Sequence, residues 1–122
     1  YNKMINKNYV CIVGGAGHVG LPLGLAISTK GYKVKLIDKN IQNIKKINNA
    51  MMPFVEEGCK PLLKKMINKK KISATNSLIA VKECKYIIIW SIISYIRFYK
   101  QTKTFIIYSW YFDYFILYKR KI

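Results

Sequence analysis

The chain has few acidic residues, a single histidine and only three cysteines. It holds 5 Asp and Glu against 22 Lys and Arg, and its one imidazole is His18. Cys11, Cys59 and Cys84 form no C-x-x-C pair and no even set, so the sequence predicts neither a zinc site nor a disulfide framework. No apolar run reaches 18 residues and no secretory signal opens the chain. We therefore predict a protein of the reduced cytoplasm without a membrane-spanning helix.

The excess of basic residues gives a formal net charge of +17, which has two interpretations. A strongly basic surface can bind nucleic acid or an anionic membrane. However, 20 of the 22 basic residues are lysine, and the chain is also rich in Ile, Tyr, Asn and Phe, which share A/T-rich codons. The lysines are scattered, with one tight run at 69–71. We predict a solvated basic surface, with neither nucleic acid nor membrane as a partner.

Glycine, proline and asparagine are absent from residues 92–122, although 11 of the 17 aromatic residues lie there. Neither helical periodicity nor strand alternation is clear in this segment. Three interpretations stay open: strands of the same sheet, a membrane-associated hairpin around Phe105–Tyr118, or out-of-frame translation of A/T-rich DNA. The apolar stretch is short for a membrane span, and it contains Asp113. We favour a frameshift and expect a tail of uncertain structure.

Residues 1–91 alternate strand patterns with helix patterns. The predicted strands lie at 9–13, 32–37, 72–75 and 86–90. Four helices are predicted between them: the first ends at a C′ glycine, Gly31, the second begins near Ile41, the third opens at Pro61, and the fourth spans 77–84. The order β-α-β-α-α-β-α-β is typical of an α/β protein. We predict a Rossmann-like, doubly wound parallel sheet that is incomplete, in a partial domain over residues 1–91.

A glycine-rich loop follows the first predicted strand and opens the first helix. It reads Gly15-Ala16-Gly17-His18-Val19-Gly20, a G-x-G-x-x-G within a βαβ unit. In this motif the first glycine permits the tight turn, the second lets a pyrophosphate approach the backbone, and the third lets helix and strand pack closely. The helix N-terminus adds free N–H groups and a positive dipole end. The alternative is a glycine-rich turn without a ligand.

Asp38 stands at the end of the second predicted strand, 18 residues after Gly20. A carboxylate there can accept hydrogen bonds from the adenine ribose hydroxyls and repels a 2′-phosphate, so we predict NAD rather than NADP as the cofactor. Lys39 beside it can soften that repulsion and is included in the candidate site. The alternative role for Asp38 is to cap the N-terminus of the next helix.

The remaining candidates offer little chemistry. His18 either touches the cofactor or faces solvent. No neighbouring residue is expected to lower the pKa of a cysteine thiol, and Cys11 lies in a predicted core strand, so we predict no catalytic residue and no metal ligand. Glu56 and Glu57 form an acidic pair that we interpret as a feature of the helix that follows.

Further motifs accompany the glycine loop: V-G-L-P-L at 19–23, D-x-N at 38–40, and Pro53, Glu56 and Gly58 as Pro-x-x-Glu-x-Gly. With these motifs, residues 9–90 resemble the N-terminal domain of the UDP-glucose/GDP-mannose dehydrogenase family, which includes UDP-N-acetyl-D-mannosamine dehydrogenases. The resemblance implies an NAD-dependent oxidation of a nucleotide-sugar C6 alcohol to a carboxylate, through a cysteine thioester, for polysaccharide precursors. It implies cofactor binding by the three loop glycines and Asp38, and more loosely by Glu56.

The resemblance stops close to the change in composition. The family carries a Thr-Pro turn after the strand at 86–90, whereas this chain continues with Ser91-Ile92-Ile93-Ser94. A basic residue that is common in the family is replaced by Asn43. The family's catalytic cysteine, its sugar-binding domain and its dimer elements come much later than residue 122. We therefore expect an N-terminal fragment that binds NAD at most and is inactive alone, with an inactive remnant as the alternative.

Overall fold

The computed structural model describes the backbone of residues 6–90, 100 and 115–119. Its elements, in chain order, are β1 (Asn6–Val13), α1 (Gly20–Ser28), β2 (Lys33–Ile37), α2 (Ile41–Asn48), α3 (Cys59–Asn68), β3 (Ile72–Thr75), a 3-10 helix (Leu78–Glu83), β4 (Cys84–Trp90) and β5 (Phe115–Lys119). Every strand and helix predicted within residues 9–90 is present, so the predicted alternation of the two is confirmed.

The strands form one sheet in the order β3-β2-β1-β4-β5. The first four are parallel, with Ile12 of β1 aligned to Leu36 of β2 on one side and to Ile88 of β4 on the other. The chain winds outward from β1 to β3 and then returns to place β4 on the far side of β1. This reversal is the Rossmann-like, doubly wound arrangement that the sequence predicted, and it opens a crevice beyond the carboxyl ends of β1 and β4.

Two clusters of buried side chains lie on opposite faces of the sheet because successive strand residues point to opposite sides. One face packs against α1, α2 and α3 through Ile12, Leu36 and Ile88. The other face carries Cys11, Val13, Ile37, Ile87 and Ile89, together with Leu78 and Val81 of the 3-10 helix. The apolar runs at 9–13 and 86–90 therefore contribute to both faces, which explains why they lack a polar alternation.

Several predicted element ends shift by one or two residues. Thr29 is the C-cap of α1, so Gly31, which was predicted at C′ and has φ +96°, lies one position beyond C′. Pro61 does not open α3, because the helix begins at Cys59 after Gly58 as N-cap. Proline is still tolerated there because the first-turn N–H groups have no intrahelical acceptor. The helix predicted at 77–84 is a 3-10 helix that Ser77 caps.

Part of the basic surface is used in local contacts. Lys35 forms an ion pair with Glu83, which ties β2 to the 3-10 helix. The Nζ atoms of Lys33 and Lys35 lie 5.7 and 5.4 Å from the centroid of the Tyr9 ring, within the range of a cation–π contact. The strand lysines therefore cover neighbouring side chains of the same sheet face.

The edge strand β3 is covered by a side chain of α2. The side-chain amide of Asn48 donates to the carbonyl oxygen of Ala74 at 2.9 Å, and its oxygen accepts from the Ala74 N–H at 2.9 Å. These two bonds satisfy backbone groups that an edge strand otherwise presents to another chain. Asn48 thus completes the ladder at this end of the sheet.

We expect Asn48→Ala to lower the free energy of unfolding by about 1–3 kcal/mol, since two hydrogen bonds of ordinary strength are lost. Chemical denaturation measures this change. Asn49→Ala is the matched control, because the Asn49 amide bonds only the Lys45 carbonyl within the end of the same helix. Equal losses in the two variants would show that the pairing with Ala74 contributes no more than the single bond of Asn49 within its own helix.

Five residues of the tail join the sheet. The backbone of β5 pairs antiparallel with β4, with Leu117 opposite Ile88. For these residues the structure agrees with the first of the three interpretations, a strand of the same sheet. Residues 91–99 and 101–114 lie outside the described residues, so the frameshift and the separate tail stay predictions. Among the described residues, none of the helices combines the length with the apolar character that a membrane-spanning segment requires.

Candidate functional site

The glycine-rich loop begins where β1 ends, and the end of β2 holds it in place. The N–H groups of Gly14 and Gly15 both donate to the carbonyl oxygen of Ile37, at 2.7 and 3.1 Å. Gly14 has φ +83°, in the left-handed region that favours glycine. The chain therefore turns sharply out of β1 while remaining bonded to the neighbouring strand.

Two of the motif glycines are required by close packing. A Cβ on Gly15 would lie 2.7 Å from the Ile12 carbonyl oxygen and 3.0 Å from the Leu36 side chain. A Cβ on Gly20 would lie 2.5 Å from the Gly14 carbonyl oxygen and 2.6 Å from the Gly15 Cα. Gly20 thus lets the first turn of α1 pack against the backbone of the loop. The sequence analysis had expected it to let the helix pack against the strand, and the loop residues that it contacts directly follow that strand.

Gly17 differs from both because its surroundings are open. A Cβ built there would meet no atom within 4 Å. The Gly17 carbonyl oxygen accepts a hydrogen bond from the Leu21 N–H at 3.1 Å, just ahead of the helical bonds of α1. The missing side chain therefore leaves space at the mouth of the helix, where a ligand can approach the backbone.

The N-terminus of α1 is uncapped by any side chain. Val19 is the N-cap and its side chain makes no capping hydrogen bond, and no acidic residue lies in the first turn. The Leu21 N–H already donates to the Gly17 carbonyl oxygen and Pro22 has no N–H, so in its first turn this end of α1 presents the Gly20 N–H and a positive partial charge. Such an end is suited to an anion, above all a phosphate.

Asp38 reaches the loop directly. Its Oδ2 accepts a hydrogen bond from the Ala16 N–H at 3.0 Å, and its Oδ1 accepts one from the Asn40 N–H at 3.1 Å. A carboxylate offers about four acceptor positions, so about two remain for further donors. The alternative role as helix N-cap is wrong, because Asn40 is the N-cap of α2 and its side chain accepts from the Asn43 N–H.

Asn43 is a further residue of the site. Its side-chain amide donates to the carbonyl oxygen of Ala16 at 3.1 Å. The sequence reasoning treated this position only as the loss of a basic residue. The spacing Asn40-x-x-Asn43 is typical of an N-cap and its N3 residue and places Asn43 in the first turn of α2, but it gives no sign of the contact with Ala16.

The other predicted residues of the loop lie at its exposed rim. His18 is exposed, and its ring stacks on Phe54 with centroids 4.1 Å apart and planes 27° from parallel. Val19 is 42% exposed, and Lys39 lies exposed beside Asp38. No sequence pattern indicates the contact of His18 with Phe54, because Phe54 follows α2 and stands 36 positions away along the chain.

A cavity of about 600 Å³ adjoins Phe54. It is lined by the segment Ala50–Glu56 and by Lys60. Glu56 and Glu57 are exposed and directly precede Gly58, the N-cap of α3, so they lie next to the start of the helix to which the sequence analysis linked them. The Glu56 carbonyl oxygen accepts from the Cys59 N–H.

The three cysteines are buried and none is in a disulfide. Burial, with a smaller contribution from the nearby Glu56 charge, raises the pKa of the Cys59 thiol above its usual value. A raised pKa lowers the thiolate fraction at neutral pH, and the thiolate is the nucleophile. Within the described ranges, no group of three or more His, Cys, Asp or Glu side chains could hold a metal ion.

The structure brings seven of the eight predicted residues together, namely the loop from Gly15 to Gly20 and the carboxylate of Asp38, and Lys39 lies exposed next to Asp38. A parallel strand, a G-x-G-x-x-G loop, a helix N-terminus and an acidic residue ending the next strand define the dinucleotide-binding class of Rossmann domains.

Comparison with known proteins gives the family. Residues 8–91 match the NAD binding domain of the UDP-glucose/GDP-mannose dehydrogenase family. The chain therefore belongs to this family. It is 31% identical over 80 residues to a putative UDP-glucose 6-dehydrogenase, YtcA, of Bacillus subtilis. The matched segment covers 66% of this chain and 18% of that protein. An uncharacterized protein of Methanocaldococcus jannaschii, MJ1054, is 35% identical over 69 residues, 57% of this chain and 8% of the relative.

Solved structures agree with this assignment. GDP-mannose dehydrogenase from Pseudomonas aeruginosa superposes with a TM-score of 0.53 at 27% identity. The UDP-N-acetyl-mannosamine dehydrogenase Cap5O from Staphylococcus aureus superposes with a TM-score of 0.54 at 25% identity. Each comparison covers 57% of this chain and 16% of the other. The chain thus spans less than a fifth of the length of these relatives.

Proposed function

We propose that this chain binds NAD at the surface formed by the glycine loop and Asp38. The observation that carries the proposal is the hydrogen bond between the Asp38 carboxylate and the Ala16 N–H, which places the acid beside the open space at Gly17. The donor set fits the cofactor. An uncapped helix end suits a pyrophosphate, and a carboxylate with acceptor positions to spare suits a ribose diol.

The roles divide along the loop. Gly17, His18 and Val19 would face the pyrophosphate from the end of α1, while Gly15 and Gly20 keep the backbone compact enough to reach it. Asp38 would accept from the adenine ribose hydroxyls, and its charge would disfavour a 2′-phosphate. Bound NAD supplies a hydride acceptor. The chain's own residues hold the dinucleotide and fix its orientation.

We also propose that the whole protein oxidises the C6 alcohol of a nucleotide sugar to a carboxylate, with a UDP-sugar such as UDP-N-acetylmannosamine as substrate, for polysaccharide precursors. The support is family membership and the likeness to dehydrogenases of UDP-sugars and GDP-mannose. These 122 residues alone are proposed to be inactive, since Cys11, Cys59 and Cys84 are all buried. A cytoplasmic location and the lack of nucleic-acid or membrane partners stay predictions.

Calorimetric titration of the 122-residue chain tests the binding proposal, with NAD and NADP as the two ligands. We expect NAD to bind more tightly than NADP. Asp38→Asn should weaken NAD binding by roughly tenfold or more, because hydrogen bonds to a charged group contribute about 1.5–3 kcal/mol. It should also reduce the preference for NAD over NADP.

Glu57→Gln is the control, since it removes one negative charge at an exposed position outside the loop. Equal weakening by both substitutions would assign the effect to net charge alone. Failure of the unsubstituted chain to bind millimolar NAD would contradict the proposal and leave a vestigial fold.

A further inference from the structure

Four hydrogen bonds form a closed circuit between the glycine loop and the start of α2. Ala16 donates to Asp38, Asp38 accepts from Asn40, Asn40 accepts from Asn43, and Asn43 donates back to Ala16. The distances lie between 3.0 and 3.1 Å. Both the N–H and the carbonyl oxygen of Ala16 are therefore held from the same short segment of chain.

Ala16 is the residue between the first two motif glycines, and it is fully buried. Glycines on either side give the backbone more freedom than other residues would. Two bonds at Ala16 restrict this freedom before any ligand arrives. The side chain of Asp38 is fixed at the same time, because each of its oxygens already accepts one N–H.

We infer that Asn43 is a positioning residue of the dinucleotide site. It acts through Ala16 and has no need to touch the ligand. Its side-chain amide holds the loop in the conformation that aligns the open backbone at Gly17 with the Asp38 carboxylate. This inference rests on the proposed function, since it assigns Asn43 a share of the affinity for NAD.

Physical chemistry gives this contact a clear consequence for binding. A loop that is ordered in the free protein loses less conformational entropy when the ligand binds. The hydrogen bond from the Asn43 amide to the Ala16 carbonyl joins two uncharged groups, and the net contribution of such a bond to stability is modest. Its removal should leave the fold intact and release the loop.

The test compares Asn43→Leu with Asn49→Leu in the full 122-residue chain. Leucine is close in size to asparagine, favours helices and cannot donate a hydrogen bond. Asn49 is the matched control, because its amide bonds only the Lys45 carbonyl of the same helix. We expect Asn43→Leu to raise the Kd for NAD about threefold to tenfold and Asn49→Leu to leave it unchanged.

Amide hydrogen exchange provides a readout that does not require NAD. The Ala16 N–H donates to Asp38 and has no direct bond to Asn43, so faster exchange at Ala16 in Asn43→Leu would show that Asn43 acts through the loop. Exchange at Leu36, in the centre of the sheet, reports global stability and should stay the same.

The outcomes separate the two proposals. If the unsubstituted chain binds no NAD, the proposed function fails, and exchange at Ala16 still decides whether Asn43 positions the loop. If the chain binds NAD and Asn43→Leu matches Asn49→Leu in both affinity and exchange at Ala16, the inference about Asn43 is wrong and the proposed function stands. Exchange that rises equally at Ala16 and Leu36 would also contradict it, because it indicates a general loss of stability.

Discussion

Gly20→Ala is expected to lower the free energy of unfolding by roughly 3 kcal/mol, because its Cβ would overlap the loop backbone. The added carbon would lie 2.5 Å from the Gly14 carbonyl oxygen and 2.6 Å from the Gly15 Cα. Neither atom belongs to a flexible side chain, so α1 or the loop has to move. For a small domain with marginal stability this is a large fraction of the total. Thermal unfolding followed by circular dichroism measures it, and a fall of about 10 °C in Tm is expected.

Gly17→Ala is the control for this substitution, since a Cβ at that position meets no atom within 4 Å. Its backbone lies outside the left-handed region, so alanine is accepted without strain and should leave stability unchanged or slightly raised. A Gly20→Ala chain as stable as Gly17→Ala would show that the packing of α1 on the loop is looser than the distances indicate.

Gly17→Val is expected to give the second large effect, a loss of NAD affinity of at least about tenfold with little change in stability. Its branched side chain would fill the open space at the mouth of α1 and hold the pyrophosphate away from the backbone at the N-terminus of α1. Hydrogen bonds to a charged group contribute about 1.5–3 kcal/mol each, so losing one of them is enough. Calorimetric titration with NAD measures the affinity.

A graded series makes this result specific. Alanine at position 17 adds one carbon and should weaken NAD binding less than valine does, while both variants keep the Tm of the unsubstituted chain. Unchanged affinity in the valine variant would mean that the dinucleotide does not approach the backbone at Gly17. A joint loss of affinity and stability would assign the effect to folding instead.

Much of this architecture could be predicted from local sequence patterns. The apolar run at 9–13, the glycine loop and the helical spacing after it depend on neighbours along the chain, and the parallel order of strands follows from the helices between them. Asp38 could be placed at the site for the same reason, because the carboxyl ends of adjacent parallel strands meet at one edge of the sheet.

The remaining features depend on contacts between distant residues, which no local pattern encodes. Asn43 appeared only as a missing basic residue, yet its amide bonds Ala16, 27 positions away. The stack of His18 on Phe54 depends on the path that the chain takes between α2 and α3. Asp38 is not the N-cap of α2, because the helix begins at Ile41 with Asn40 as its N-cap, and element ends are the least determined part of a sequence pattern.

The direction of β5 has a consequence for how a longer sheet could be assembled. In the six-stranded Rossmann order, a parallel strand from the second half of the domain lies beside β4. In this chain that edge of β4 is paired with an antiparallel strand. A separately expressed second half could therefore restore the sheet only by strand exchange, with β5 leaving before the new strand can bind. Fragment complementation of this chain should accordingly be slow, at a rate set by the release of β5, and independent of the concentration of the added half once that half is in excess.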